Sequence, residues 1–385
     1  MRSTFSVIPF LGLALFGVSL LPGLSQAAEP TSTLRLFISS FAAGDDAGIH
    51  ACTLDTQTGQ IVTDSKFGDV QQTFFMALTA DRRYLYATHA PNQFGGAENE
   101  EITALEIVND QGQLQLLNRQ SSLGTATCYL HVDATGKSLL VANYSSGSVA
   151  VLPIRPDGSL GEAASFVKHE GSSVDPERQG HPHAHSIIPS PNNRFAYAAD
   201  LGTDQIVAYQ MDATTGRIAA AQQPFVRTPA AAGPRHLTFH PRTGRLYAIN
   251  ELKNSVTLFD HHPDTGFLIE RQTISTLPAE YEGTSYTADV KVTPDGRFLY
   301  GTNRGHHSIA AYRIADDGTL TLLEIEPSGG AGPQNLAITP DGRFLLVANM
   351  PGNNVTVFRI DAAAGTLERV GEPVGIPMPS CILIR

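Results

Sequence analysis

The sequence predicts an all-β fold, a seven-bladed β-propeller with four-stranded antiparallel blades. Three observations carry this: a unit repeated six times, a β-branched strand after each copy, and complementary half-units at the two ends. The unit is an apolar run, a turn, and a second apolar run that in most copies closes on Asn or Asp. In order it reads FFMALTADRRYLYATH, CYLHVDATGKSLLVAN, HSIIPSPNNRFAYAAD, RHLTFHPRTGRLYAIN, ADVKVTPDGRFLYGTN and QNLAITPDGRFLLVAN. Segments such as GSVAVLPI, DQIVAYQM, NSVTLFD, HSIAAYRI and NNVTVFRI follow, with the β-branched alternation of third strands. Asp/Gly turns such as RPDGSLGEA and ADDGTLTLLE then lead into a short fourth strand.

The ends complete the ring. LRLFISS and GIHACTLD resemble the second and third strands of a blade lacking its first, and the C-terminal SCILIR is a first strand with nothing after it. Joining them makes the seventh blade and satisfies sheet edges that would otherwise stay unpaired. An eighth unit is not visible.

The first residues are of another kind. Arg2 precedes an apolar stretch from Phe5 to about Leu21, and Ser25-Gln26-Ala27 offers small residues at the −3 and −1 positions of a cleavage site. Residues 1–27 are therefore expected to be a signal peptide and residues 28–385 the propeller domain, which places the mature protein outside the cytoplasm, in the periplasm. The rival is an uncleaved anchor, disfavoured because the run is of signal-peptide length and no second span follows. The net charge of −11 comes without a basic cluster, which excludes nucleic acid and, after signal cleavage, membrane as partners. Cys52, Cys128 and Cys381 are odd in number and widely spaced, so they read as buried thiols rather than a disulfide framework. No CxxC or Cys/His array suggests structural zinc.

Functional positions follow from the repeat. In a propeller the first strand of each blade lines the channel, and its start shares a face with the end of the second strand. Counting fifteen residues back from each closing residue, as from Asp200 to His185, gives Phe74, Cys128, His185, Arg235, Ala288, Gln334 and, at the C-terminus, Ser380. The next positions hold Phe75, Tyr129, Ser186, His236, Asp289, Asn335 and Cys381, and those just after the closing residues hold Ala90, Tyr144, Leu201, Glu251, Arg304 and Met350. Blade packing evidently accepts Ala, Leu, Phe or Met here. His185, Arg235, Glu251, Asp289 and Arg304, from three adjacent blades, are thus expected in one sector of one channel mouth. A solvated salt-bridge network is the bland alternative; convergence on a concavity favours function.

Other candidates carry less. Asn143, Asp200, Asn250, Asn303 and Asn349 recur in nearly every blade and read as turn formers. His181, His183 and His185 of HPHAH resemble a metal tract, but an irregular loop with no carboxylate partner is weak ligand support, and no metal or other cofactor is expected. GGAENEE, residues 95–101, reads as a solvated acidic loop, and no GxSxG elbow is present.

HPHAHS with AADLGTDQIVAYQ, GPRHLTFHP with AINELKNSVTLFD, and PDGRFLYGTNRGHHSIAAY together resemble the lactonase seven-bladed propeller family, which includes bacterial 6-phosphogluconolactonases and fungal carboxy-muconate lactonizing enzymes. The resemblance spans nearly all of the chain after the leader. It implies a histidine, a glutamate and two arginines as functional residues, matching His185 of HAHS, Glu251 of NEL, Arg235 of GPRHL and Arg304 of NRG. Many relatives carry arginine in the seventh blade where this chain has Gln334 after Pro333.

The reaction so implied is the opening of a small-molecule sugar (aldono-) lactone, a carboxylic-ester hydrolysis. Glu251 and His185 would share acid–base activation of water. Arg235 and Arg304 would meet an anionic group or the oxyanion. His183, His236, Asp289 and Tyr144 complete the expected substrate-binding set. The alternatives are a YVTN-type envelope scaffold, which has no need of this charge asymmetry, and a muconate cycloisomerase on the same site. A quinone-dependent dehydrogenase propeller is disfavoured because the chain has no Trp.

Overall fold

A computed structural model describes residues 1–7, 33–212 and 214–385. The expected signal peptide, residues 1–27, and its cleavage point after Ala27 lie largely or wholly outside these. Among the described residues no helix is long and apolar enough to cross a membrane.

Residues 33–385 form seven antiparallel four-stranded sheets, the predicted seven blades. Blade 1 combines the C-terminal strand Pro379–Ile384 with Thr33–Ser40, Gly48–Asp55 and Ile61–Phe67, in that order from the channel outward. Blades 2 to 7 span residues 76–121, 127–168, 184–227, 234–275, 286–327 and 333–375. The closing pair runs Leu36↔Ile384 through Ser39↔Cys381, so both termini enter one sheet as expected.

The core lies between blades. Phe298, Tyr300 and Ile309 of blade 6 pack on Leu345, Val347 and Phe358 of blade 7, all fully or almost fully buried. A second tie recurs between neighbours. The hydroxyls of Tyr86, Tyr197, Tyr247 and Tyr300 donate to the carbonyls of Gly158, Gly266, Gly318 and Gly365, each in the outer turn of the next blade, at 2.7–3.0 Å. Gly365 has φ +80, and a Cβ there would collide with the Phe298 ring, so the turn needs glycine for conformation and for close approach.

The recurrent Asx residues do more than shape turns. Asn143 Nδ2 donates to Ser148 Oγ across the turn and to the Ser122 carbonyl in the linker from blade 2; Asn303 does the same with Ser308 and Thr276. The acidic-loop expectation needs correction. Glu100 of GGAENEE is buried, and its carboxylate accepts from the Gly95, Ala126 and Thr127 amides at 2.7–2.8 Å, drawing this loop against blade 3. All three cysteines are buried and unpaired, as expected.

Tyr300→Phe should lower stability by about 1 kcal/mol, the net worth of one buried hydrogen bond. Gly365→Ala should lower it by about 2 kcal/mol or more, through the positive φ and the collision. Chemical denaturation of both variants checks this, and a neutral Gly365→Ala would contradict the proposed tie.

Candidate active site

The mouth positions inferred from the repeat share a backbone device. The first and second strands pair with a register shift between Thr127 and Tyr129, Ala184 and Ser186, Pro234 and His236, and Pro333 and Asn335. Cys128, His185, Arg235 and Gln334 are therefore the bulged residues of their blades, and a bulge re-aims its side chain out of the regular alternation. The residue after the second strand then stands beside it: Tyr144 in blade 3, Glu251 in blade 5. In blade 6 the corresponding Arg304 is the last residue of the second strand, Phe298–Arg304.

These positions bound a pocket of about 220 Å³ lined by Phe74, Phe94, Cys128, Tyr144, Arg178, His185, Arg235, Glu251 and Arg304. One wall is apolar, where Phe74 and Phe94 stack with centroids 5.3 Å apart and Phe41 meets both edge-on. The polar wall is organised by one carboxylate. Glu251 Oε2 accepts from Arg235 Nε at 3.0 Å and pairs with Arg304 Nη2 at 2.8 Å, while Oε1 accepts from Arg178 Nη2 at 2.6 Å. Burial alone would raise the Glu251 carboxyl, but Arg304, Arg235 and Arg178 outweigh it and hold it at about 2.

His185 is 5% exposed, with Nδ1 3.6 Å from Cys128 Sγ and its ring edge-on to Tyr144. Burial, then the charge of Arg235 and the neighbouring His236, holds its pKa well below 6.5, so it is a neutral imidazole at physiological pH. Burial likewise keeps the Cys128 thiol protonated.

Arg235 is almost fully buried and fixed on several sides. Besides Glu251, its Nη1 donates to the Ala288 carbonyl at 2.6 Å and to His236 Nε2 at 3.1 Å. That assigns the His236 tautomer, with Nδ1–H donating to Asp289 Oδ1 at 2.8 Å. Burial first, then Arg235, lowers His236 to about 4. Asp289 also takes Lys291 Nζ, Asn335 Nδ2 and the Leu336 amide, and these partners overcome burial and depress it strongly.

Of the residues expected from sequence, His185, Arg235, Glu251, Arg304 and Tyr144 meet in one pocket. His236 and Asp289 are not in its lining; they sit behind Arg235 and orient it. His183 stacks behind Tyr144, centroids 4.3 Å apart, with Nδ1 3.1 Å from the Tyr144 carbonyl. His181 lies against His183, but among the described residues no group of three or more His, Cys, Asp or Glu side chains could hold a metal. Gln334 is buried outside the lining, with Oε1 unpartnered among the described residues.

Arg178, Phe94 and Phe41 were not anticipated. Arg178 lies in the long connection between Ser165–Lys168 and Ala184–Pro189, outside any repeated position. The one available signal was the length of that connection, since long ordered loops in compact domains tend to be functional.

The site makes stability depend on pH in two stages. His185 and His236 have pKa values depressed below the unfolded 6.5, so the stability tied to their neutral forms is present above 6.5 and lost as pH falls towards 4. Glu251 is depressed from 4.5 to about 2, so its contribution is present above 4.5 and lost as pH falls through 2. The melting temperature should hold above pH 7, decline below 6.5 and drop more steeply below 4.5. Glu251→Gln should flatten the lower stage. It should also destabilise by about 2–4 kcal/mol at neutral pH, because Arg235 is fully buried while Arg178 and Arg304 keep some access to water. Calorimetric melts across pH test both statements.

Comparison with known proteins agrees with this architecture. The family described as "Lactonase, 7-bladed beta-propeller" matches residues 35–384. The chain is 31% identical over 289 residues to the 6-phosphogluconolactonase of Bacillus subtilis, covering 75% of this chain and 80% of that protein. It is 33% identical over 249 residues to a 6-phosphogluconolactonase of Pectobacterium carotovorum, covering 64% and 68%. Among solved structures, the periplasmic gluconolactonase of Pseudomonas aeruginosa superposes with a TM-score of 0.86 at 30% identity, covering 92% of this chain and 99% of that one. With the family matched over nearly the whole propeller, the chain belongs to the lactonase family of seven-bladed β-propellers.

Proposed function

We propose that this protein hydrolyses a sugar (aldono-) lactone at the blade 3–6 sector of the channel mouth, with His185 as general base. One observation carries the assignment: in a single pocket a neutral imidazole stands beside a glutamate already engaged by three guanidinium groups. A carboxylate held at about 2 is a weak base at neutral pH, whereas an unprotonated imidazole can take a proton. Acid–base work therefore falls to His185, and Glu251 holds the arginines in place.

In this reading His185 removes a proton from water as its oxygen attacks the lactone carbonyl. The negative charge that develops on the carbonyl oxygen is met by Arg304, whose Nε is buried without a partner among the described residues, and by Arg235. As the tetrahedral intermediate collapses, the ring C–O bond breaks and the leaving alkoxide takes the proton back from His185. The product is the open hydroxy acid, which ionises to solvent. Phe74 and Phe94 offer an apolar surface to the C–H face of a sugar ring, and Tyr144, backed by His183, offers another.

Export is part of the proposal. The N-terminal sequence has the organisation of a signal peptide, and the similar Pseudomonas aeruginosa protein is called periplasmic. Catalysis rather than scaffolding is favoured by the buried charges, since a scaffold gains nothing from placing Arg235 and Glu251 out of water.

The test is ring opening of glucono-1,5-lactone and its 6-phosphate by the mature protein, corrected for spontaneous hydrolysis. Turnover should survive chelator. His185→Gln should lower kcat by about 10²–10⁴-fold. The acid limb of kcat/KM should lie below pH 6.5, because the imidazole is depressed and activity is lost only as it protonates. Undiminished turnover by His185→Gln, or an acid limb above pH 7, would remove His185 as the base. No rate above background on any lactone would favour the envelope-scaffold reading.

A further inference from the structure

We infer that Arg178 is the specificity-determining residue of the pocket, exchanging its bond to Glu251 for an anionic substituent, phosphate or carboxylate, carried on the lactone away from the reacting carbonyl. The inference rests on the lactonase reading above for the identity of the substrate ring, but the anion site itself rests on the arginines.

Charge is the first reason. Three guanidiniums, Arg178, Arg235 and Arg304, share one carboxylate in the pocket lining. Asp289, the carboxylate behind Arg235, is taken up by His236, Lys291 and Asn335. Among the described residues the lining thus carries two more positive than negative side chains in a concave site, which favours an anionic ligand.

The second reason is the division of Glu251 between its partners. Arg235 and Arg304 both hold Oε2, while Arg178 alone holds Oε1. Arg178 can therefore release Glu251 without leaving it unpaired. Its side chain is 33% exposed, against 26% for Arg304 and 1% for Arg235, so it is the most exposed of the three. Among the described residues only its Nη2 is engaged, with Glu251 and, at 3.4 Å, the Tyr144 hydroxyl. Once Nη2 leaves Glu251 it forms a fork with either Nε or Nη1, suited to bidentate binding of phosphate or carboxylate.

The third reason is that the backbone under Arg178 is built. Asp200 clamps both ends of the 169–183 loop, pairing with His169 Nδ1 at 2.6 Å and accepting from the His183 amide at 2.9 Å. Asp204 holds the loop's interior through Gln179 Nε2 at 2.7 Å and Ser173 Oγ at 2.6 Å. Asp175 accepts from the Arg178 amide itself, and the guanidinium lies over the Tyr286 ring, 5.4 Å from its centroid. A loop outside the repeat, held by two buried aspartates, delivers one arginine to the mouth.

The experiment compares wild type, Arg178→Ala and Arg178→Lys on three lactones: neutral glucono-1,5-lactone, its 6-phosphate, and a glucarolactone bearing a free carboxylate. Arg178→Ala should lower kcat/KM on the anionic lactones by about 10–100-fold, mainly through KM, and on the neutral one by a far smaller factor. Arg178→Lys should recover part of the loss, since it keeps the charge without the fork. Loss confined to the phosphate or to the carboxylate identifies the substituent. Equal loss on all three, or none, overturns the inference, and melting curves separate equal loss from misfolding. Titration with inorganic phosphate supplies a readout independent of turnover. If wild type opens no lactone yet binds phosphate at least tenfold more tightly than Arg178→Ala, the lactonase reading fails and the anion site stands. If the two bind phosphate alike, the anion site fails as well.

Discussion

The antiparallel pairing of Pro379–Ile384 with Thr33–Ser40 joins the two ends of the chain inside one sheet. A ring of blades has no other sheet-level closure, and if it opens the inter-blade layer at the break loses its partners and is exposed on both faces. The pocket depends on this closure because its lining comes from blades 2 to 6, with no two of His185, Glu251 and Arg304 in the same sheet. Residues from separate blades keep ångström-scale distances only if the whole ring is rigid. The tyrosine-to-glycine ties and the linker-binding asparagines supply that rigidity at the outer and inner radii.

Within the closed ring, the Glu251 carboxylate determines the electrostatics of the mouth. It lets Arg235 stay charged while almost fully buried, even though burial and then Arg304 lower that guanidinium to about 10. Arg235, held by Glu251 in front and by His236 and Asp289 behind, in turn helps keep His185 unprotonated. The chain Asp289–His236–Arg235–Glu251 thus converts a buried ion network into a neutral base beside a surplus of positive charge. A polar cluster of this kind costs stability unless every member is satisfied, and these four are.

Much of this was legible in the repeat. Because every blade obeys one register, counting from a closing residue such as Asp200 or Asn250 located the bulged positions and brought His185, Arg235, Glu251, Arg304 and Tyr144 to one mouth. Depth was not legible. Arg235 and His236 are adjacent in sequence, yet the bulge sends one into the pocket and the other behind it. GGAENEE read as solvent-facing because composition cannot reveal that Glu100 accepts from Gly95 of its own loop and from Ala126 and Thr127 at the entry to blade 3. Arg178 escaped because a loop has no period against which an unusual residue stands out.

The sequence by itself determined the architecture and the sector of the site, since strand alternation and a repeated unit are local properties that survive without knowledge of any contact. Only the tertiary structure decided the chemistry of that sector. The protonation of His185, the three-way sharing of Glu251 and the arrival of Arg178 each depend on charges brought together from distant parts of the chain. Electrostatic energy follows distance and burial in space, and neither is written in residue order.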